Sequence, residues 1–297
     1  EDEAAGFTAR TSSLAAGADV RGVALLAYDG AGDGRDDLVA AISYADRVEL
    51  VSVVGSVSTS YAIDGAATTT LNQQVDGSRL YVRMSAGQLD YDQGLELGMV
   101  VNEVTGSSSG TTGLATYYLF EDDAAGRALL RSGSVQANVG GIVAAEAADV
   151  ELDDIDGDGL DEVVLAGATN LAWSCSDNDF SALLIALDDK SSGFTQLDAT
   201  VENLFYQNCS SAGGDWRRFF VFLATPDLDG DGVHEIVANQ LVFDDFADAP
   251  TFARLADVEL PSTAFLNNLF DRGQYLSVAA MEMIAADVTG DGRENVL

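Results

Sequence analysis

An all-β fold of repeated four-stranded units is predicted by three features of the sequence. An acidic motif recurs along the chain, apolar runs precede and follow its copies, and 30 glycines but only three prolines punctuate the 297 residues. Alternating, β-branched segments such as RVELVSVVG and SALLIALDD are typical of strands. Glycine-rich turns suit many short strands, and a hydrophobic content of 47% provides a sizeable core.

The acidic motif sets the length of the repeat. Clear copies start at Asp29, Asp154, Asp227 and Asp287, and an eroded copy starts at Asp90. One unit is therefore a strand, an acidic loop and three further strands, with the loop between the first and second strands. Four strands in about 60 residues is the anatomy of a β-propeller blade. A lone blade leaves its faces uncovered, so we expect the units to pack side by side.

Two copies carry a full set of oxygen ligands, in the pattern D-x-D-x-D-G-x-x-E. The oxygen atoms of positions 1, 3, 5, 7 and 9 are expected to converge on one point, and the glycine at position 6 permits a sharp turn. Six to eight oxygens in a flexible cage suit Ca²⁺. The candidate ligands are the side chains of Asp154, Asp156, Asp158 and Glu162 with the Leu160 carbonyl, and those of Asp227, Asp229, Asp231 and Glu235 with the Val233 carbonyl.

Two further copies predict weaker calcium sites. The copy at Asp29 offers Asp29, Asp33, Asp37 and the Arg35 carbonyl, but Ala31 at position 3 cannot ligate. The copy at Asp287 offers Asp287, Asp291 and the Arg293 carbonyl, with neutral oxygens from Thr289 and Asn295. We expect two strong sites, two weaker ones, and no metal at Asp90, where the Asp-Gly core is missing.

Other metal sites fit the sequence less well. An EF-hand needs a glutamate at position 12, where this chain has Ala40, Leu165 and Ala238. Zinc prefers histidine or cysteine ligands, and the chain has a single histidine. That residue, His234, stands at loop position 8, and we expect its side chain to point outward.

The nine-residue loops resemble the FG-GAP repeat of the integrin α-subunit propeller and its bacterial relatives, often called VCBS or integrin-like repeats. The residues that carry the resemblance are DIDGDGLDE (154–162) and DLDGDGVHE (227–235). The resemblance implies a calcium-binding propeller, with each metal held between the first two strands of a blade. It implies no catalytic activity.

The number of blades is open. We treat residues 1–297 as a single propeller domain, with repeats starting near residues 21, 79, 141, 217 and 277. The segment AGFTARTSSL resembles SGFTQLDATV (192–201), an expected outer strand, and residues 1–20 are therefore the candidate for a strand that closes the ring. Alternatively, the chain is a fragment of a longer propeller, which in this family commonly has seven blades.

Charge and composition restrict the partners. The formal net charge of −35 disfavours nucleic acid, which needs a basic face. No apolar run is long enough to predict membrane insertion. The acidity also fits a protein that is simply very soluble or that comes from a salty habitat. Cys175 and Cys209 are either a disulfide or two free thiols. We expect a secreted or cell-surface protein, extracellular or periplasmic.

No catalytic motif stands in a context that would support an enzyme, and we name no catalytic residues. The favoured function is a calcium-stabilised module for adhesion or ligand binding, with a protein or glycan partner. One alternative is a lectin-like, carbohydrate-binding propeller. Another is a non-catalytic accessory domain of a larger secreted polysaccharide-acting enzyme.

Overall fold

The structure is a computed structural model that describes residues 20–32, 34, 36–54, 62–72, 79–107, 110–123, 126–169, 181–203, 221–239, 241–257, 283 and 285–296. All regular secondary structure in these ranges is β, which confirms the all-β prediction. Among the described residues, no helix is long and apolar enough to cross a membrane. Cys175, Cys209 and residues 1–19 lie outside the described ranges, so the disulfide and the ring-closing strand stay predictions.

The strands form antiparallel sheets in which chain order equals spatial order. The first sheet contains β1 (Gly22–Tyr28), β2 (Asp37–Ser43), β3 (Arg47–Val54) and β4 (Ala62–Asn72). The second sheet contains β5 (Arg79–Gly87), β6 (Glu96–Ser107), β7 (Gly110–Asp123) and β8 (Gly126–Ser134). A short hairpin of β9 (Gln136–Asn138) and β10 (Ile142–Ala144) follows, which the repeat did not predict.

Two more four-stranded sheets and a final strand pair complete the described fold. The third sheet contains β11 (Ala147–Asp153), β12 (Glu162–Thr169), β13 (Ser181–Leu187) and β14 (Gln196–Asn203). The fourth sheet contains β15 (Leu223–Ala224), β16 (Ile236–Ala238), β17 (Leu241–Phe243) and β18 (Arg254–Asp257). The last pair is β19 (Ala285–Ala286) and β20 (Asn295–Val296).

Each acidic motif joins the first and second strands of a sheet, as predicted. In the third sheet the pairing runs to Asp153 opposite Glu162, and the loop lies between these two residues. In the first sheet the corresponding last pair is Tyr28 and Asp37. The antiparallel register therefore brings the two ends of each loop together, which holds the loop at one edge of its sheet.

The sheets pack face to face in chain order. In the second sheet Met99 contributes to a cluster with Leu50 of the first sheet, whereas its neighbour Val100 contributes to a cluster with Val163 of the third. In the third sheet Val164 contributes to a cluster with Ile236 of the fourth. Alternate residues of one strand thus face opposite neighbours, because side chains in a strand alternate between the two faces. Every residue of β12 is buried as a result.

The first strands of the four sheets lie together. Strands β1, β5, β11 and β15 all contribute to the lining of one cavity of about 270 Å³. Polar groups from Tyr81, Arg83 and Asp149 and the apolar side chains of Leu25 and Leu223 are among its walls. The acidic loops therefore follow directly from strands that line one cavity.

Candidate metal centre

We number the loops by sheet and their residues by position, so that the first loop is 29–37, the third 154–162, the fourth 227–235 and the fifth 287–295. These four loops share one internal hydrogen bond, from the position 6 glycine N–H to the position 1 carboxylate. The distances are 2.7 Å for Gly34 to Asp29, 2.9 Å for Gly159 to Asp154, 3.1 Å for Gly232 to Asp227 and 2.9 Å for Gly292 to Asp287. The φ of +89° at Gly159 explains why glycine stands there.

In the third loop the acids at positions 1, 3, 5 and 9 accept hydrogen bonds from the loop's own backbone. Asp154 accepts a hydrogen bond from Gly157 N–H at 2.7 Å, and Asp156 accepts one from Asp158 N–H at 3.1 Å. Carboxylate oxygens of Asp154, Asp156 and Glu162 lie within 4.8 Å of one another. The predicted ligand Asp158 is not in this group, and one of its oxygens accepts a hydrogen bond from Leu160 N–H at 2.9 Å.

Glu162 is the most unusual acid of the third loop because it is fully buried. One carboxylate oxygen, Oε2, accepts a hydrogen bond from Ile155 N–H at 3.0 Å, and the other, Oε1, is buried without a hydrogen-bond partner. Burial, together with the nearby charge of Asp156, raises the pKa of Glu162 to about 9. Burial also raises the pKa of Asp156. A cation would supply the partner that Oε1 lacks and favour the charged form of both acids.

The fourth loop divides its predicted ligands between two groups. Asp227, Asp229 and Asp231 lie together, with carboxylate oxygens within 4.8 Å. Glu235 is buried and belongs to a second acidic group with Asp244 and Asp245, which follow β17. Burial raises the pKa of both Glu235 and Asp245. This second group was not predicted, because its two aspartates lie outside the motif.

The first and fifth loops present fewer candidate metal ligands among the described residues. In the first loop Asp33 and Arg35 lie outside the described residues, and Asp37 is exposed. In the fifth loop Asp287 accepts hydrogen bonds from four backbone N–H groups, with Gly292 contributing most to the lowering of its pKa. Asp291 accepts a hydrogen bond from the N–H of the exposed Arg293 at 3.2 Å, and the Thr289 hydroxyl lies 3.4 Å from Asp287. At position 9 the buried Oδ1 of Asn295 has no hydrogen-bond partner.

The second loop has a different register from the one the sequence suggested. Leu89 N–H donates to Glu96 Oε2 at 2.7 Å, as Ile155 donates to Glu162 and Leu228 to Glu235. The loop is therefore 88–96, with Gln88 at position 1 and Asp90 at position 3. The alignment that placed Asp90 at position 1 was wrong by two residues. It was anchored on the first aspartate, whereas this copy begins with glutamine.

A belt of backbone hydrogen bonds links all five loops. The N–H of position 8 in each loop after the first donates to the carbonyl of position 1 in the preceding loop. The pairs are Leu95 to Asp29 at 3.1 Å, Asp161 to Gln88 at 2.7 Å, His234 to Asp154 at 3.4 Å and Glu294 to Asp227 at 2.8 Å. This repetition supports the corrected register of the second loop, since Leu95 then stands at position 8. The belt also fixes each acidic loop against its neighbour.

The side chain of His234 does not point freely outward as expected. Its Nδ1 lies 2.6 Å from Asp153 Oδ1, the last residue of β11 in the neighbouring sheet. The close carboxylate of Asp153 raises the pKa of His234 to about 9. At neutral pH the imidazole is therefore charged, and the ion pair joins the third sheet to the fourth loop.

The chain resembles solved structures at low sequence identity. No family model matches the sequence, and no curated protein shows significant similarity. Among solved structures, the chain is similar to the rhamnogalacturonan lyase YesW at 15% identity and TM-score 0.47, covering 93% of this chain and 53% of that one. It is similar to the rhamnogalacturonan lyase PL11 of Bacillus licheniformis at 14% identity and TM-score 0.45, covering 84% and 48%. The exotype rhamnogalacturonan lyase YesX gives 14% identity and TM-score 0.44, covering 94% and 52%. The chain thus spans about half the length of these structures.

The donor set decides which ion fits. Every candidate ligand group in the described loops presents oxygen atoms, and the carboxylates of the third loop leave a buried oxygen without a partner. Hard oxygen ligands in a flexible loop suit Ca²⁺. Asp154, Asp156 and Glu162 would hold the ion in the third loop, and Asp227, Asp229 and Asp231 in the fourth. The bound charge would offset the mutual repulsion of the carboxylates.

Proposed function

We propose that the chain is a calcium-stabilised β-propeller of the FG-GAP or VCBS type, and that it serves as a non-catalytic binding module. The observation that carries the metal part is the acidic group of the third loop. There Glu162 is fully buried with one unpartnered oxygen beside two more carboxylates. A buried carboxylate without a counter-charge is costly, and a divalent cation removes that cost.

The propeller part of the proposal is supported by the packing of the sheets. Four-stranded meanders follow one another, pack face to face, and contribute their first strands to one cavity. Blades arranged around an axis have this relation, with the first strand innermost. In that arrangement the belt of loops lies on one face of the propeller, so the metals would stiffen the surface that a ligand meets.

The calcium affinity expected of such loops bears on where the protein works. Extracellular calcium modules bind with Kd values of about 10⁻⁴–10⁻³ M, which only millimolar calcium fills. At about 1 mM Ca²⁺, mass action gives roughly 0.4–1.4 kcal/mol of stability per site. We therefore propose a secreted or surface-exposed protein, with a protein or glycan as the ligand of the loop-bearing face.

The test is a calorimetric titration of chelator-stripped protein with Ca²⁺ and with Mg²⁺, together with melting curves in calcium and in excess chelator. We expect at least two calcium sites and a higher Tm in calcium. Asp156→Asn and Asp229→Asn should each remove or strongly weaken one site. Both asparagines keep the oxygen that accepts a backbone hydrogen bond within the loop.

The control is Asp46→Asn, which changes the net charge equally at an exposed residue outside the acidic loops. It should leave the calcium stoichiometry unchanged. If the protein binds no calcium and its melting curve is the same in chelator, the metal proposal is wrong. The acidic loops would then be stabilised by their own backbone hydrogen bonds.

A further inference from the structure

The second loop has a side chain that can donate hydrogen bonds at position 1, where the third and fourth loops have an aspartate. Gln88 replaces the position 1 aspartate, and its side-chain Nε2 donates to the carbonyls of Asp92 at 2.8 Å and Gly94 at 3.2 Å. In the corrected register Gly94 stands at position 7, whose carbonyl is a predicted metal ligand in the other loops. The Oε1 of Gln88 accepts a hydrogen bond from Asp90 N–H at 3.2 Å. The amide thus bridges the loop from within.

A positive charge also enters this loop from the neighbouring sheet. Lys190, the only lysine in the sequence, lies in the turn between β13 and β14 of the third sheet. Its ammonium donates hydrogen bonds to Asp90 of the second loop and to Glu121 of β7. The backbone N–H of Lys190 also donates to the Leu89 carbonyl at 3.2 Å. Backbone and side chain therefore hold the turn on the loop together.

The second loop needs such a charge because it is rich in acids. Oxygens of Asp90, Asp92, Glu96 and Glu121 lie within 4.8 Å of one another. Glu96 is buried, and burial raises its pKa to about 7. Burial alone would raise the pKa of Asp90, but the hydrogen bond from Lys190 lowers it. The ammonium therefore favours the charged form of an acid that is otherwise surrounded by like charges.

We propose that Lys190 is the resident cation of the second loop and that, with the Gln88 amide, it locks the second sheet to the third without a metal ion. A divalent ion and this ammonium would compete for the same carboxylates, so the loop stays metal-free while Lys190 is present. The lock itself depends only on the contacts of the second loop. The statement that Lys190 takes the place of a metal ion bound in the other loops rests on the proposed function.

The experiment uses Lys190→Met, which keeps the apolar stem and removes the charge. In excess chelator we expect the Tm to fall by roughly 4–8 °C, because a group of acids loses its counter-charge. Calcium should restore much of this loss, and calorimetry should find one more calcium site than in the unmodified protein. Lys190→Arg, which retains the charge, should keep the original stoichiometry.

Two controls make the result specific. Arg254→Met removes another ion pair between sheets, with Glu202 at 3.1 Å, and should not create a calcium site. In Lys190→Met/Glu121→Gln one acid is neutralised, so the Tm in chelator should partly recover. This double variant also reports on the proposal if the single variant folds poorly.

Two outcomes would overturn the proposal: an unchanged Tm of Lys190→Met in chelator, or a calcium stoichiometry equal to that of the unmodified protein. Its failure is separable from failure of the proposed function. If the unmodified protein binds no calcium but Lys190→Met binds one ion, the lock stands and the calcium role of the other loops fails. If both bind two ions, the lock fails and the calcium role stands.

Discussion

Replacing Glu162 by glutamine should stabilise the metal-free protein and reduce the further stabilisation that calcium provides. At pH 7 the glutamate is ionised in the unfolded chain, where it has its ordinary pKa of 4.5. It is protonated in the metal-free fold, where its pKa is about 9. Its folded pKa is raised, so the stability it contributes is complete below pH 4.5 and is lost as the pH rises towards 9. At pH 7 this loss is about 3 kcal/mol, since one pKa unit corresponds to about 1.4 kcal/mol.

Glutamine resembles the protonated acid and can still accept the Ile155 N–H. In excess chelator at pH 7, Glu162→Gln should therefore raise the free energy of unfolding, by up to about 3 kcal/mol. Calcium should raise the free energy of unfolding of this variant by less than that of the unmodified protein, because one charged ligand is missing. Urea unfolding in chelator and in calcium measures both effects.

The same reasoning gives a proton count. Calcium must displace the proton of Glu162, so binding at this site at pH 7 should release about one proton and become about tenfold tighter per pH unit between pH 6 and 8. Calorimetry in two buffers of different ionisation enthalpy measures the release, which should fall by about one in Glu162→Gln. Equal destabilisation in chelator and calcium, with unchanged proton release, would refute the reasoning.

Three further predictions concern contacts between sheets. In Gly98→Ala the new Cβ would lie 2.2 Å from Leu152 Cδ1, so we expect a loss of about 1–3 kcal/mol in urea unfolding, and Leu152→Ala should cost less in the Gly98→Ala protein than in the unmodified one. NMR in chelator should give His234 a pKa of about 9, and a pKa near 6.5 would contradict the pair with Asp153. The stability that this ion pair contributes should be complete below pH 6.5 and be lost as the pH rises through 9. Burial raises the pKa of Glu96 to about 7, so the free energy of unfolding of Glu96→Gln relative to the unmodified protein should rise by about 3 kcal/mol between pH 4.5 and pH 7. A difference between the two proteins that does not change with pH would contradict the burial argument.

The position of the acidic loops could be predicted because it depends on local pattern alone. An apolar strand, a motif with glycine at position 6 and a second apolar strand specify a hairpin with a tight loop, and the structure has one in the first, third, fourth and fifth loops. The outer strand expected within residues 192–201 is likewise present as β14, Gln196–Asn203. Alternation of side chains between two faces is enough to predict such strands.

Contacts between distant residues could not be predicted in this way. The turn of Lys190 meets a loop that is 100 residues earlier in the sequence, and no local pattern indicates that pairing. The grouping of Glu235 with Asp244 and Asp245 likewise depends on how the turn after β17 folds over the loop. The register of the second loop was misread because Gln88 is not an acid, and only the Leu89 to Glu96 hydrogen bond reveals its equivalence to the others.

The belt of hydrogen bonds between loops also bears on how the molecule comes apart. In this belt each described loop after the first donates to the one before it, which couples each sheet to its neighbours in the chain, as in solenoid repeats. Unfolding in such a series proceeds by fraying, unit by unit, from the most weakly coupled member. Hydrogen exchange should therefore be slowest in β6 and β12, whose side chains pack against sheets on both sides, and fastest in the two-residue strands β19 and β20.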